Sequence, residues 1–445
     1  MKRYFVDIFP ECVETFKKLL QFNTTNPPGS ERESISYIAS LLKREGLNPV
    51  ILESADQRAN LVVRLSGEGA LKPLHISSHI DVVSAEEKNW KHPPFSAAEA
   101  EGCIWGRGAV DMKNMTAYCL GALLKLKREN VRLKRDLIVS VVADEETGGE
   151  FGMGWLARKH PDLIQSEFYL GEVGGYSVHI GGRRIYPIQV GEKGTFWINV
   201  KFRGAPGHGS VPNPSNVHFK LSRFLNILDS KLLPRHRTSS CEAFIHSVAE
   251  KLGPMGLPFK ALSTDFGPLI LKKMARKALM PEKYLAVGAM LSNTATPTGT
   301  SSGVQHNVIP SEVILKLDCR TLPGFTGENL ISEIEKIWGE PLDYEVITRS
   351  DGYECSFDTP LFKTICKKIK ESDAQGIPVP SLTVGSTDAQ HLHKLGVICY
   401  GFTPIKLPAD INFPQLFHGH NERIPIEGFK WGLEVFINTV KEFCS

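Results

Sequence analysis

The run DLIVSVVADEE, residues 136–146, constrains the fold more than any other stretch of the chain. Its apolar residues do not alternate with polar ones and it is short, so it suits a strand covered on both faces, as in a parallel sheet. Helices are on hand to cover it. In SERESISYIASLLKREGL, Ser30 stands three residues before Glu33 in a capping-box pattern, and Ile35, Ile38, Leu41 and Leu42 repeat at helical spacing. Lys43, Arg44 and Gly46 close that helix. ANLVVRL and PLHISSHIDVV are short, rich in β-branched residues, and read as further strands. A helix from about Met112 puts Met115, Cys119, Ala122, Leu123 and Leu126 on one face. This alternation predicts an α/β fold with a doubly wound, mostly parallel sheet.

The texture changes near Gly191. GTFWINVKFRGAPGHGS is a strand with half-polar alternation, and the helix after it carries Val217, Leu221, Phe224, Leu225 and Leu228. EVILKLDCR and a helix bearing Leu330, Ile331, Ile334, Ile337 and Trp338 complete an α+β layer of helices on an antiparallel sheet. From Asp351 the α/β texture returns, with a helix around Leu361 to Lys370 and a strand at GVICYGF. The expected organisation is one α/β domain made of residues 1–191 and 351–445, interrupted by an inserted domain at 192–350. That insert carries a helical-looking insertion of its own at about 232–292. A chain of 445 residues has room for both domains, at roughly 150 residues each.

Charge narrows the partners. Lys plus Arg number 52 against 49 for Asp plus Glu, too balanced for a nucleic-acid groove or a basic membrane face, so a small substrate is expected. The nine cysteines are odd in number, scattered and without a C-x-x-C pair, which argues against a disulfide framework or a thiolate zinc cluster. Asp7 and Glu11 interrupt any signal-peptide core, and no apolar run approaches the ~18 residues of a membrane helix. A reducing, cytoplasmic, soluble setting is expected.

The acids at the predicted strand ends carry the chemistry. His79 and Asp81, two apart at the carboxyl end of a strand, point to the same side. Asp111 follows GRGAV, Glu145 and Glu146 close VSVVADEE, and Glu172 closes EFYLGE, each where open α/β sheets place their ligand crevice. Each acid alone is explained by an N-cap or a solvated turn; their shared topological position is not. Carboxylates gathered without basic neighbours repel one another, and a divalent cation resolves the repulsion. His418 and His420 in FHGHNERIP compete to supply a second imidazole. Imidazole and carboxylate ligands without thiolates favour zinc, with manganese or cobalt as alternatives.

HIDVV, GRGAVDMK, EETGG, GEVGG, GAPGHGSVP, NVIPSEVILKLDCRTLPG, GSTDAQ and HGHNERI, in that order and spread over nearly the whole chain, resemble a known family. It is the co-catalytic dizinc metallohydrolases, which include aminoacylases, carnosine dipeptidases, glutamate carboxypeptidases and succinyl-diaminopimelate desuccinylases. The resemblance implies a zinc-binding α/β domain interrupted by a lid or dimerisation domain. It makes His79, Asp111 and Glu172 ligands of one zinc and Asp111, Glu146 and His418 ligands of a second, with Asp111 bridging. Asp81 then holds the His79 ring and its tautomer. Glu145 becomes the general base, facing away from Glu146 if the two lie on an extended segment.

The implied reaction is hydrolysis of an amide or peptide bond in a small carboxylate-bearing substrate, an N-acyl-amino acid or a short peptide, by a water bridging the zincs. His208 matches a histidine that stabilises the oxyanion, and Arg320 matches an arginine that grips the substrate carboxylate. Asn307, Gly385 and Ser386 match further substrate contacts. Gln390 departs from the arginine of many relatives, which puts specificity there in question. The motif around His208 has the form seen in dimeric relatives, where that histidine acts on the partner's site, so a homodimer is expected. Two alternatives stand beside this reading: a dipeptidase or carboxypeptidase in place of a deacylase, and a catalytically silent zinc-binding scaffold.

Overall fold

The computed structural model describes residues 7–231, 233–262, 264, 266–267, 287–303, 305–409, 411 and 415–445. The chain divides into two units, one of Met1–Val190, Cys355–Pro380 and Thr387–Ser445, the other of Gly191–Glu354 and Ser381–Ser386.

In the first unit the strand order is Val50–Ala55, Arg58–Leu65, Arg135–Val142, Leu71–His79, Phe168–Gly171, Ile398–Gly401. Its centre is parallel: Leu71–His79 pairs in that sense with Arg135–Val142 and Phe168–Gly171, and Ile398–Gly401 with Phe168–Gly171. Antiparallel pairing at Val50–Ala55 and Arg58–Leu65 finishes one edge, giving the largely parallel α/β sheet expected. Leu137, Ile138, Val139, Val141 and Val142 are all buried, as an apolar run without alternation requires.

The helix Lys113–Arg128 is buried nearly all round through Leu124, because it packs on Leu71–His79 and between Phe9–Gln21 and Ile426–Cys444. Gly121 permits this: a Cβ there would stand 2.7 Å from Cys12 Sγ. The rings of Phe16 and Tyr118 each lie 5.0 Å from that of Phe429.

The capping box at Ser30 does not form. The helix runs Arg32–Arg44 after Glu31, with no side-chain cap. Glu31 and Arg32 donate their N–H groups to the Gln57 carbonyl instead, and the Glu31 carboxylate is buried against Arg58 Nε at 2.9 Å. A buried charge-assisted bond outcompetes an exposed cap.

The second unit is a four-stranded antiparallel sheet, Thr294–Ser302, Glu312–Thr321, Gly194–Arg203, Tyr344–Arg349. Phe196, Ile198, Val200 and Phe202 face the same core as Val313, Leu315, Leu317 and Cys319, the period-2 pattern of a half-covered sheet. Val217, Leu221 and Phe224 from the helix Val217–Ser230, and Leu330, Ile331 and Ile334 from Gly327–Trp338, cover that face. Within 232–292 the structure contains the helices Ser239–Leu252 and Leu257–Leu262, while residues 268–286 lie outside the described residues. No helix among the described residues is long and apolar enough to cross a membrane, and none of the nine cysteines is in a disulfide.

Candidate metal centre

The parallel strands deliver their acids from adjacent ends. His79 is the last residue of its strand, in register with Val142, two residues before Asp144; Glu172 directly follows Phe168–Gly171. The buried His79 ring donates from Nδ1 to the Asp81 carbonyl at 3.0 Å, which orients the ring and turns Nε2 towards the acids. Around Nε2 stand Asp111 Oδ1 at 3.2 Å, Glu172 Oε2 at 3.6 Å and Glu145 Oε2 at 3.8 Å. The Asp81 carboxylate lies farther from the ring, at 3.5 Å, and accepts the N–H groups of Glu145 (3.1 Å) and Glu146 (3.2 Å).

Glu145–Thr147 forms a 3₁₀ turn where the sequence suggested an extended segment. Asp144 at φ 70° swings the chain round, and the Asp81 carboxylate gathers the next two amides. Successive residues of such a turn are about 120° apart. Glu145 and Glu146 therefore diverge without opposing each other: Glu146 Oε2 lies 3.0 Å from His418 Nε2, and Glu145 keeps to the His79 side.

Asp111 divides its carboxylate between the two imidazoles, Oδ1 at 3.2 Å from His79 Nε2 and Oδ2 at 3.1 Å from His418 Nε2. His418 makes these contacts at φ 57° with its side chain 58% exposed, and His420 is exposed as well. After Glu172 the chain turns through Val173, Gly174 and Gly175, all at positive φ. A Cβ on Gly174 would stand 2.6 Å from the Gly401 carbonyl, so the GEVGG motif serves close backbone approach beside the acid. Val173 is β-branched, and its φ of 60° marks stored strain at the same place.

The electrostatics match a cation site. Burial and then Glu172 push the Glu145 carboxyl well above the usual range, and burial and then Asp111 push Glu146 to about 7. Burial alone would lower His79, but Asp111, Asp81 and Glu172 outweigh it and hold the ring well above its ordinary value. Glu146 Oε1 and Glu172 Oε1 are buried acceptors without a hydrogen-bond donor. Such orphans are costly unless something positive faces them. Among the described residues, one potential ligand atom from each of His79, Glu145 and Glu172, and from each of His79, Asp111 and Glu146, falls within 4.8 Å of the others. Oxygen and imidazole donors of this kind fit zinc, cobalt or manganese.

The other predicted residues belong to the second unit. His208 is exposed on Gly207–His208, paired with Val308, and its Nδ1 lies 2.7 Å from Ser210 Oγ. This pairing brings Asn307 alongside, its carbonyl accepting Gly209 N–H at 2.7 Å. Arg320 is held by Asp318 (2.6 and 3.1 Å) and donates to Thr195 Oγ1 at 2.9 Å, which in turn lies 3.4 Å from Ser386 Oγ. Arg320 and Ser386, far apart in sequence, thus meet at Thr195. Gly385 has open space at its Cβ position. In the first unit, Gln390 lies on the short helix Ala389–His393.

Sequence reasoning missed the buried residues that hold this centre. Glu422 accepts from Arg107 Nη1 (2.8 Å) and from the N–H groups of Gly108, Val110 and Asp111 (2.9, 2.7 and 3.1 Å), fixing the GRGAVD loop. Asn26 and Arg58 reach Asp144 at 3.0 and 2.7 Å. Asp388 is buried, and that burial pushes its carboxyl well up. The only sequence signal was their presence inside, or near, motifs singled out for other residues.

A model of peptidase family M20/M25/M40 matches residues 75–442. Aminoacylase-1A of Rattus norvegicus is 25% identical, covering 97% of this chain and 95% of its own. The N-fatty-acyl-amino acid synthase/hydrolase PM20D1 of Mus musculus is 27% identical over 81% of this chain and 72% of its own. Among solved structures, the M20 family metallo-carboxypeptidase Sso-CP2 of Sulfolobus solfataricus superposes with a TM-score of 0.73 at 19% identity, covering 97% and 98% of the two chains. Human carnosine dipeptidase 1 superposes at 0.68 and 15% identity, covering 98% and 96%.

Proposed function

Because the chain belongs to peptidase family M20/M25/M40, and is a metal-dependent hydrolase of amide or peptide bonds, we propose that its substrates are N-acyl-amino acids bearing a free carboxylate. The near full-length likeness to aminoacylase-1A supports that choice over a dipeptide or a peptide C-terminus. We assign two zinc ions to the centre, His79, Asp111 and Glu172 holding one and Asp111, Glu146 and His418 the other. The observation that carries this reading is the divided Asp111 carboxylate, each oxygen beside a different histidine. When bound, the cations would polarise the scissile carbonyl and acidify a water.

The chain's own residues do the rest. Glu145, raised by burial and by Glu172, stands ready to hold a proton at Oε2: it takes that proton from the attacking water and passes it to the leaving amine. His208 donates an N–H to the oxyanion in this scheme, from the partner subunit of a homodimer. Arg320 meets the substrate carboxylate in competition with Asp318, with Asn307, Gly385 and Ser386 contacting the remainder. With no disulfide, the protein suits a reducing cytoplasm.

The test is elemental analysis of the purified chain, then a hydrolysis screen of acetyl-amino acids against dipeptides. Two zinc, cobalt or manganese equivalents and preferred deacylation are expected. Glu145→Gln should keep the metal and lower turnover roughly 100-fold or more. Full turnover in that variant would remove Glu145 as the base, and dipeptide preference would replace the deacylase reading.

A further inference from the structure

Asn26 and Arg58 precede the stretch matched by the family model and are buried, 5% and 6% exposed. Both converge on the turn that carries Glu145 and Glu146. Asn26 Nδ2 lies 2.9 Å from Asp81 Oδ2 and 3.0 Å from Asp144 Oδ1, so its two hydrogens bridge two buried carboxylates on different loops. The amide's orientation is set from its other end, where Oδ1 faces Arg58 Nη1 at 3.4 Å. Arg58 donates Nη2 to Asp144 Oδ1 (2.7 Å), Nη1 to the Pro28 carbonyl (3.0 Å) and Nε to Glu31 Oε2 (2.9 Å).

The two carboxylates so tied act on the turn from both sides. Asp81 accepts the amides of Glu145 and Glu146, the bonds already described. Asp144 keeps its left-handed φ of 70° because Oδ1 also accepts Thr147 Oγ1 at 2.6 Å and Oδ2 accepts Phe151 N–H at 3.0 Å. A non-glycine residue persists there only when its surroundings over-determine it. Removing the Asn26 amide takes away the donor that ties the buried Asp81 carboxylate to that of Asp144, and leaves Asp144 Oδ1 to Arg58 and Thr147 alone. Relaxation of Asp144 towards negative φ then rotates the 144–145 peptide and swings the Glu145 side chain.

We propose that Asn26 and Arg58 are positioning residues that aim Glu145 and Glu146, by bridging Asp81 to Asp144 and holding Asp144 in its left-handed conformation. For the catalytic consequence this rests on the hydrolase reading above; for the turn itself it does not. Neither residue touches the reacting atoms. Their effect falls on the direction of a proton acceptor, where a displacement near 1 Å can cost about 100-fold in rate.

The experiment uses the full chain as wild type, Asn26→Ala, Arg58→Met and Arg58→Lys. Hydrogen exchange of a peptide spanning 144–151 reads the turn. Cobalt(II) titration of chelator-stripped protein, with its visible spectrum, reads the centre. kcat and KM on an acetyl-amino acid read the aim.

Asn26→Ala should exchange faster at 144–151 but not across Lys113–Arg128, and bind as many cobalt equivalents as wild type with an altered spectrum. Its kcat should fall about 10- to 100-fold with KM within about threefold. Arg58→Lys should recover at least about tenfold of the kcat lost in Arg58→Met, since the charge beside Asp144 returns. Wild-type exchange, spectrum and kcat in Asn26→Ala would overturn the proposal, as would a loss confined to KM. Should Asn26→Ala fail to fold, equal losses in the two Arg58 variants would overturn it. A wild type inactive on every amide would sink the hydrolase reading alone, because the exchange comparison still decides whether Asn26 and Arg58 hold the turn.

Discussion

Replacing Glu422 tests how the GRGAVD loop is held. Its Oε1 accepts the N–H groups of Val110 and Asp111, and its Oε2 accepts Gly108 N–H and Arg107 Nη1. Both charged partners are buried, the Arg107 side chain 2% exposed and that of Glu422 0%. Glu422→Ala therefore leaves a buried guanidinium without its counter-ion, at a cost of about 3–5 kcal/mol. It also orphans three amide donors, each worth about 1–3 kcal/mol when no water reaches it. With water entering the vacated space, a net loss of about 5 kcal/mol is expected, a fall of about 10–20 °C in Tm for a unit of this size.

Glu422→Gln separates shape from charge. Its carbonyl can still serve Val110 and Asp111, but its NH₂ then faces two donors, Gly108 N–H and Arg107. About 2–3 kcal/mol is expected for that mismatch. Urea unfolding followed by tryptophan fluorescence, in chelator so that metal binding does not mask the change, should order the midpoints wild type, Gln, Ala. A Gln variant with the wild-type midpoint, or an Ala variant no worse than Gln, would refute the reasoning.

Arg320→Ala should penalise acyl-amino acids carrying a free carboxylate far more than their amidated analogues, by about tenfold or more in kcat/KM; equal losses would leave Arg320 as the strand partner of Asp318. The Arg184 guanidinium holds the Asp373 carboxyl down at about 2, helped by the Tyr186 hydroxyl. A depressed carboxyl stabilises above its unfolded value near 3.9 and loses that contribution as pH falls towards 2. The stability gap between wild type and Asp373→Asn, about 2 kcal/mol at neutral pH, should therefore close between about pH 4 and 2, and a pH-independent gap in urea titrations would count against it. Mixing inactive Glu145→Gln with inactive His208→Ala should restore partial activity once subunits exchange, if His208 acts in trans; continued inactivity after proven exchange would mean it acts within one chain.

The local pattern of the chain determined a good deal. Apolar runs without alternation placed the parallel strands, period-2 alternation placed the sheet of the second unit, and acids stationed just past strand ends marked the centre. These features are legible because each is a relation between residues a few positions apart, repeated by the geometry of one element. Tertiary structure alone decided that Asp111 divides its oxygens between His79 and His418, that Glu145 and Glu146 sit on a 3₁₀ turn, and that the Ser30 capping box gives way to a Glu31 carboxylate paired with Arg58. It also supplied the bonds from Asn26 to Asp144 and from Arg107 to Glu422, which span 118 and 315 positions. In sequence such residues look like ordinary surface polar side chains. Burial makes them decisive: away from water each must find a partner, and the fold, not the local pattern, brings that partner within 3 Å.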